Sequence, residues 1–134
     1  MTSAARFAGW LLGATLLLSG ALKSIDGTAP VLAAGAYHLV PAWLALAVGA
    51  VLPALEVVVG AALWTGWQRR AAAIWALGLG LAFAAANGSA LARGLAVDCQ
   101  CFGGLGGGSP AVALGVDAGL IALALLVLSS TRRP

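Results

Sequence analysis

PAWLALAVGAVLPALEVVVGAALWTGW, residues 41–67, carries a single charged side chain, Glu56, in a run otherwise built from apolar and small residues. A surface helix of a soluble protein alternates an apolar stripe with a polar face. This stretch has no polar face to alternate with. About 20 helical residues cross a hydrocarbon core. In lipid every backbone N–H and C=O needs an internal partner, so the stretch is predicted to be a transmembrane helix.

Three further runs read the same way, at about 5–22, 71–92 and 111–128. Of the 134 residues, 62% are hydrophobic and 8% are charged. Soluble domains carry roughly 25% charged residues, so water is excluded as the solvent for this surface. The expectation is one all-α domain over 1–134, an integral membrane four-helix bundle in a lipid bilayer. The first run also fits a secretory signal, with Arg6 before it and Ser19-Gly20-Ala21 after it. The chain's Met1 and the Gly9-x-x-x-Gly13 step favour a helix that is kept and packed.

The basic residues set the expected orientation. Arg6, Arg69, Arg70, Arg132 and Arg133 all flank one side of the four spans, whereas only Lys23 and Arg93 flank the other. Lys and Arg concentrate in cytoplasmic loops. The protein is therefore expected in the cell's inner, cytoplasmic membrane as a multi-pass protein with both termini cytoplasmic. Trp43 near one interface, and Trp64 and Trp67 near the other, fit an aromatic belt. This charge distribution is a membrane pattern and not a nucleic-acid patch.

Two connections are then expected outside. The 23–40 segment is rather apolar and is predicted to form a short amphipathic helix on the membrane surface, between helices one and two. The 94–110 segment is glycine-rich, and no Gly-Lys-Ser/Thr ending turns its glycines into a phosphate loop.

That second connection holds Cys99-Gln100-Cys101, the most reactive chemistry in the chain. Outside the cytoplasm the pair meets an oxidising compartment. Two cysteines one residue apart close a tight ring, and strain makes a disulfide easier to reduce. So short a loop adds little entropic stability. The pair is therefore read as a redox-active disulfide, with a passive clip as the bland alternative. Two thiolates also suit a soft metal. No third cysteine exists and the single methionine is Met1, so the cage would be incomplete and no metal is expected.

Inside the spans the polar residues are few. A carboxylate at the bilayer centre costs roughly 2.5–3.5 kcal/mol on insertion scales, and such residues face the bundle interior. Glu56 is accordingly a candidate for proton transfer or cofactor binding, and so is Asp117. Desolvation leaves Glu56 either neutral or reached by Lys23 or Arg93. Pro53, one turn earlier, frees the carbonyl of Gly49, and Gly60, one turn later, lets a neighbour come close. Gly115 and Gly119 are expected to pack one face of the last helix while Asp117 points the other way. Lys23, Asp26, Arg93, Asp98 and Asn87 form a candidate ion-pair and hydrogen-bond group. Tyr37 and His38 are candidates at the outer interface for proton transfer or cofactor contact.

Taken in order, four motifs resemble the MauE branch of the DoxX-like membrane proteins, the methylamine-utilisation family. They are Gly20-x-x-Lys23-x-x-Asp26, Tyr37-His38-Leu39-Val40-Pro41, Pro53-x-x-Glu56-x-x-x-Gly60 and Arg93-Gly94 followed by Asp98-Cys99-Gln100-Cys101-Phe102-Gly103. Two features depart from the family pattern: mostly small residues, Gly27 to Ala36, replace the usual large residue after Lys-x-x-Asp, and Val116 stands where a basic residue is common. The resemblance implies a role in maturing a disulfide-rich periplasmic subunit of methylamine dehydrogenase, with a thioredoxin-like partner.

The combined expectation is a membrane thiol–disulfide oxidoreductase using Cys99 and Cys101. One cysteine pair cannot relay electrons across a bilayer, so a lipid-soluble carrier such as a quinone is implied. Two rival readings use the same residues: a soft-metal or small-thiol carrier, and a non-catalytic membrane anchor for a redox partner.

Overall fold

The computed structural model describes residues 2–25, 41–94 and 110–131. They form four helices: α1 (Ser3–Ile25), α2 (Ala42–Thr65), α3 (Arg69–Ala92) and α4 (Pro110–Thr131). Each is long and apolar enough to cross a membrane, and at 1.5 Å per residue each spans about 33–36 Å. The four-helix membrane bundle expected from the sequence is thus observed. Residues 23–25, taken as the start of the expected surface helix, belong to α1, and the rest of that segment lies outside the described residues.

Local chemistry fixes the helix ends. The Thr2 hydroxyl accepts a hydrogen bond from the Ala5 amide at 3.1 Å and caps α1. Pro41 stands in extended conformation before α2, and its carbonyl accepts from the Leu44 and Ala45 amides, both at 3.0 Å. Gly66 takes a left-handed conformation, φ 81°, and stops α2 two residues short of Trp67. Gln68 is also left-handed, φ 43°. The turn is so tight that α3 begins at Arg69 rather than Ala71, which draws Arg69 and Arg70 into its first turn.

Successive helices run antiparallel in a ring. Helix α1 pairs closely with α2, and α3 with α4; looser contacts between α1 and α4, and between α2 and α3, close it. The α1–α2 seam is backbone against backbone. A Cβ added to Gly13 would stand 2.8 Å from the Gly60 carbonyl oxygen, and one added to Gly20 would stand 2.7 Å from that of Pro53. The working spacing is therefore Gly13 to Gly20, two turns, with Gly13 opposite Gly60 and Gly20 opposite Pro53. Gly9, the other half of the expected four-residue step, keeps ordinary 3.8 Å contacts. On α4 the expectation fails: a Cβ added to Gly115 or Gly119 would meet no described neighbour within 4 Å. That face is exposed, because α4 turns Ala113, Asp117, Ala124 and Val127 inward instead.

Leu12, Leu16, Val59, Leu63, Ala73, Ala76, Ala124 and Val127 make the apolar centre. Trp43, Leu46, Val58, Ile74 and Trp75 are exposed on the outside. A surface this apolar belongs in lipid. Both long connections, 26–40 and 95–109, join helices at one end of the bundle, and Arg6, Arg69 and Arg70 lie toward the other.

Gly60→Ala should therefore force α1 from α2, lowering stability by about 1–3 kcal/mol as overpacking does. Gly115→Ala, on the open face of α4, should stay within about 0.5 kcal/mol of the parent protein. Thermal unfolding of both variants in one detergent measures the difference; equal losses would contradict the assigned seam.

Candidate functional site

Within this apolar bundle the buried polar side chains are few among the described residues: Ser19 and Lys23 on α1, Glu56 on α2, Asn87 on α3 and Asp117 on α4. Lys23 lies in the last turn of α1, where a cation is favoured by the helix dipole. It is only 7% exposed. Its Nζ donates to Glu56 Oε1 at 2.7 Å, a buried ion pair across the α1–α2 seam. The close approach of Gly20 to Pro53 sets the two helices at the separation a lysine stem can bridge. Glu56 is fully buried, about 21 Å along α2 from Ala42.

Helices α3 and α4 supply a second pair. Asn87 Nδ2 donates to Asp117 Oδ2 at 2.8 Å, and both side chains are buried. Lys23 links the two pairs. Its Nζ stands 5.2 Å from the centre of the Phe83 ring on α3, within cation–π range. Phe83 precedes Asn87 by one turn and so shares its face. That i, i+4 spacing was the available signal for Phe83, which the sequence reading missed.

One atom of the group stands apart. Among the described residues, Glu56 Oε2 is buried with no hydrogen-bond partner. Buried polar oxygens are nearly always satisfied, so each exception needs an account.

Of the candidate residues, the structure brings together Lys23, Glu56, Asn87 and Asp117. Arg93 stands outside this group as an exposed residue at the end of α3, where its Nε donates to the Ser89 carbonyl at 3.3 Å and to the Ser89 hydroxyl at 3.0 Å. Asp26, Tyr37, His38, Asp98, Cys99 and Cys101 lie outside the described residues. Among the described residues no three His, Cys, Asp or Glu side chains gather as metal ligands. An open groove lined by Gln68, Arg69, Arg70, Ala71 and Ile74 lies at the opposite, arginine-bearing end of the bundle, away from this chemistry.

Removing one partner of a buried ion pair costs about 3–5 kcal/mol, because the other charge is stranded. Lys23→Met and Glu56→Leu should each lose stability on that scale. The double variant should recover most of it, since an apolar pair of similar volume strands no charge. A double-mutant cycle by chemical or thermal unfolding checks this, and purely additive losses would dismiss the pair as a stabilising unit.

The comparisons with known proteins add one finding. A family model described as methylamine utilisation protein MauE matches residues 1–130. No curated protein and no solved structure matches the chain. Matched over nearly its whole length, with four apolar helices long enough to span a membrane, the protein belongs to the MauE family of methylamine utilisation proteins.

Proposed function

We propose that the protein is a membrane thiol–disulfide oxidoreductase, exchanging disulfides through Cys99 and Cys101 with a thioredoxin-like extracytoplasmic partner. The observation that carries this reading is the buried polar quartet in a bundle whose cysteine-bearing connection leaves from the end near Lys23. Cys99 follows Gly94 by five residues, so its Cα lies within about 18 Å of Gly94, just past the end of α3, by chain length alone. Membership of a methylamine-utilisation family supports a role in that process, and thiol exchange is the chemistry its Cys-x-Cys motif offers.

The exchange proceeds by thiolate attack on a disulfide sulfur. A mixed disulfide forms, and the second thiolate of the attacking pair resolves it. Each cycle moves two electrons and two protons between the partner and the Cys99–Cys101 pair. Resetting the pair needs a lipid-soluble two-electron carrier, for which a quinone has the right chemistry. The residues present fit the polar head of such a carrier. Lys23 retains ammonium hydrogens to donate to a carbonyl, and Glu56 Oε2 is free among the described residues to accept from a hydroxyl. Glu56 and Asp117, with Tyr37 and His38 from the 26–40 connection, are the proposed proton-transfer and cofactor-binding residues. Lys23 and Asn87 hold them in place, and Arg93, Asp26 and Asp98 are proposed as ion-pair support near the cysteines. On this reading the protein sits in the cytoplasmic membrane with both termini inside and the cysteines outside.

Two experiments test these proposals. Cys99→Ser and Cys101→Ser should each trap a disulfide-linked adduct containing a thioredoxin-fold protein, visible on a non-reducing gel, and the double Ser variant should trap none. The native pair should titrate above about −300 mV, the region below which structural disulfides resist reduction. Unimpaired activity in cells without either cysteine would leave only an anchor. For orientation, Cys101 in the Cys99→Ser variant should react with a membrane-impermeant thiol reagent in intact cells. Labelling that appears only after the membrane is opened would reverse the topology.

A further inference from the structure

The quartet has an imbalance that the ion pair alone does not resolve. It contains two carboxyl groups, Glu56 and Asp117, and one ammonium, Lys23. Asn87 is neutral and supplies a hydrogen bond but no charge. With both carboxyls ionised, the group carries one uncompensated negative charge inside an apolar bundle, where an unpaired charge is costly.

The missing positive charge has few sources in this chain. Arg6, Arg69 and Arg70 lie toward the opposite end, and Arg132 and Arg133 follow α4 there. Arg93 is exposed and engages Ser89. The connections 26–40 and 95–109 contain no lysine or arginine, and His38 is their single basic residue. Among the described residues, Lys23 on α1 bonds Glu56 on α2, Asn87 on α3 bonds Asp117 on α4, and Phe83 on α3 lies beside the Lys23 ammonium.

Hydrogen bonding shows a second deficit in the same place. Glu56 Oε2 is buried and lacks a donor among the described residues. A single proton supplies the missing charge and needs no cavity to enter, and Glu56 Oε2, which Lys23 does not engage, is an oxygen that can bind it.

We propose that Lys23, Glu56, Asn87 and Asp117 form a binding site for one exchangeable proton, shared by two buried carboxyl groups that have one ammonium between them. Lys23 already bonds one carboxyl, and through Phe83 it lies one helical turn from Asn87, the partner of the other. Leaning toward either ionised carboxyl, it leaves the other to hold the proton. The site does not depend on thiol exchange, so it stands or falls apart from the reading of the cysteines.

Infrared spectroscopy of the purified full chain in detergent tests it, through the carbonyl stretch of a protonated carboxylic acid. The native protein should show this band at neutral pH, and the band should shift in D2O. Glu56→Gln and Asp117→Asn should each abolish it, because one remaining carboxylate then balances Lys23. Asp26→Asn and Asp98→Asn should leave it intact. Lys23→Gln should about double it, since both carboxyls then need a proton. If that variant does not fold, the two amide variants still decide the question. Absence of the band in the native protein, or failure to exchange in D2O, would overturn the proposal. A band lost in only one amide variant would also overturn it, by fixing the proton on one residue regardless of charge balance.

Discussion

The structure depends on one buried contact, Lys23 Nζ to Glu56 Oε1 at 2.7 Å. Lipid offers neither group a substitute, so each must find the other. That requirement fixes the register of α1 against α2, because moving one residue along a helix turns a side chain by about 100°. A one-residue slip would aim Glu56 toward lipid or strand Lys23. The contact in turn needs the helices close together, and Gly13, Gly20 and Gly60 provide that separation by meeting opposing backbone with no side chain between. Small residues and the ion pair thus serve one geometry: the first allows the approach, and the second selects its register.

The other half of the bundle repeats the arrangement with weaker means. Helices α3 and α4 approach at Gly80, where an added Cβ would stand 3.0 Å from Ile121 Cγ1, and Asn87 bonds Asp117 above it. The molecule is therefore two close hairpins, α1–α2 and α3–α4, joined by looser seams. Lys23 belongs to the first hairpin and touches the second through Phe83. Each hairpin is closed by a long connection at the same end, and one of these carries Cys99 and Cys101. Events in that connection and at the quartet are thus linked by short lengths of chain.

Much of this was legible in the sequence, and the residues show where it stopped being so. The four spans were readable because an apolar run without a polar face has one stable form in lipid. The limit between α2 and α3 was misjudged because hydropathy does not register backbone conformation, and Gly66 and Gln68 end and restart the helices in left-handed geometry. Glu56 was readable as an interior residue from its cost alone, yet Lys23 and Arg93 remained equal candidates to meet it. Only the antiparallel register distinguishes them, by bringing Gly20 to Pro53 and sending Arg93 to the exposed end of α3. Gly115 and Gly119 misled for a related reason. A G-x-x-x-G step describes a small face but not what stands opposite, and opposite these two glycines no described residue stands.

The quartet also bears on whether its polar residues serve packing or chemistry. A buried ion pair is weak evidence for stability, since an apolar pair often holds a fold as well. Lys23 and Glu56 could serve register alone: they neutralise each other, and mispairing is costly. Asp117 is harder to explain that way. Its partner Asn87 is neutral, and a second amide at position 117 would accept the same hydrogen bond with no ionisable group placed in lipid. A carboxyl at this position adds nothing to packing that an amide lacks. On the proposed proton site, what it adds is the capacity to take up and release a proton, so under that proposal Asp117 is the member of the group that chemistry, rather than architecture, accounts for.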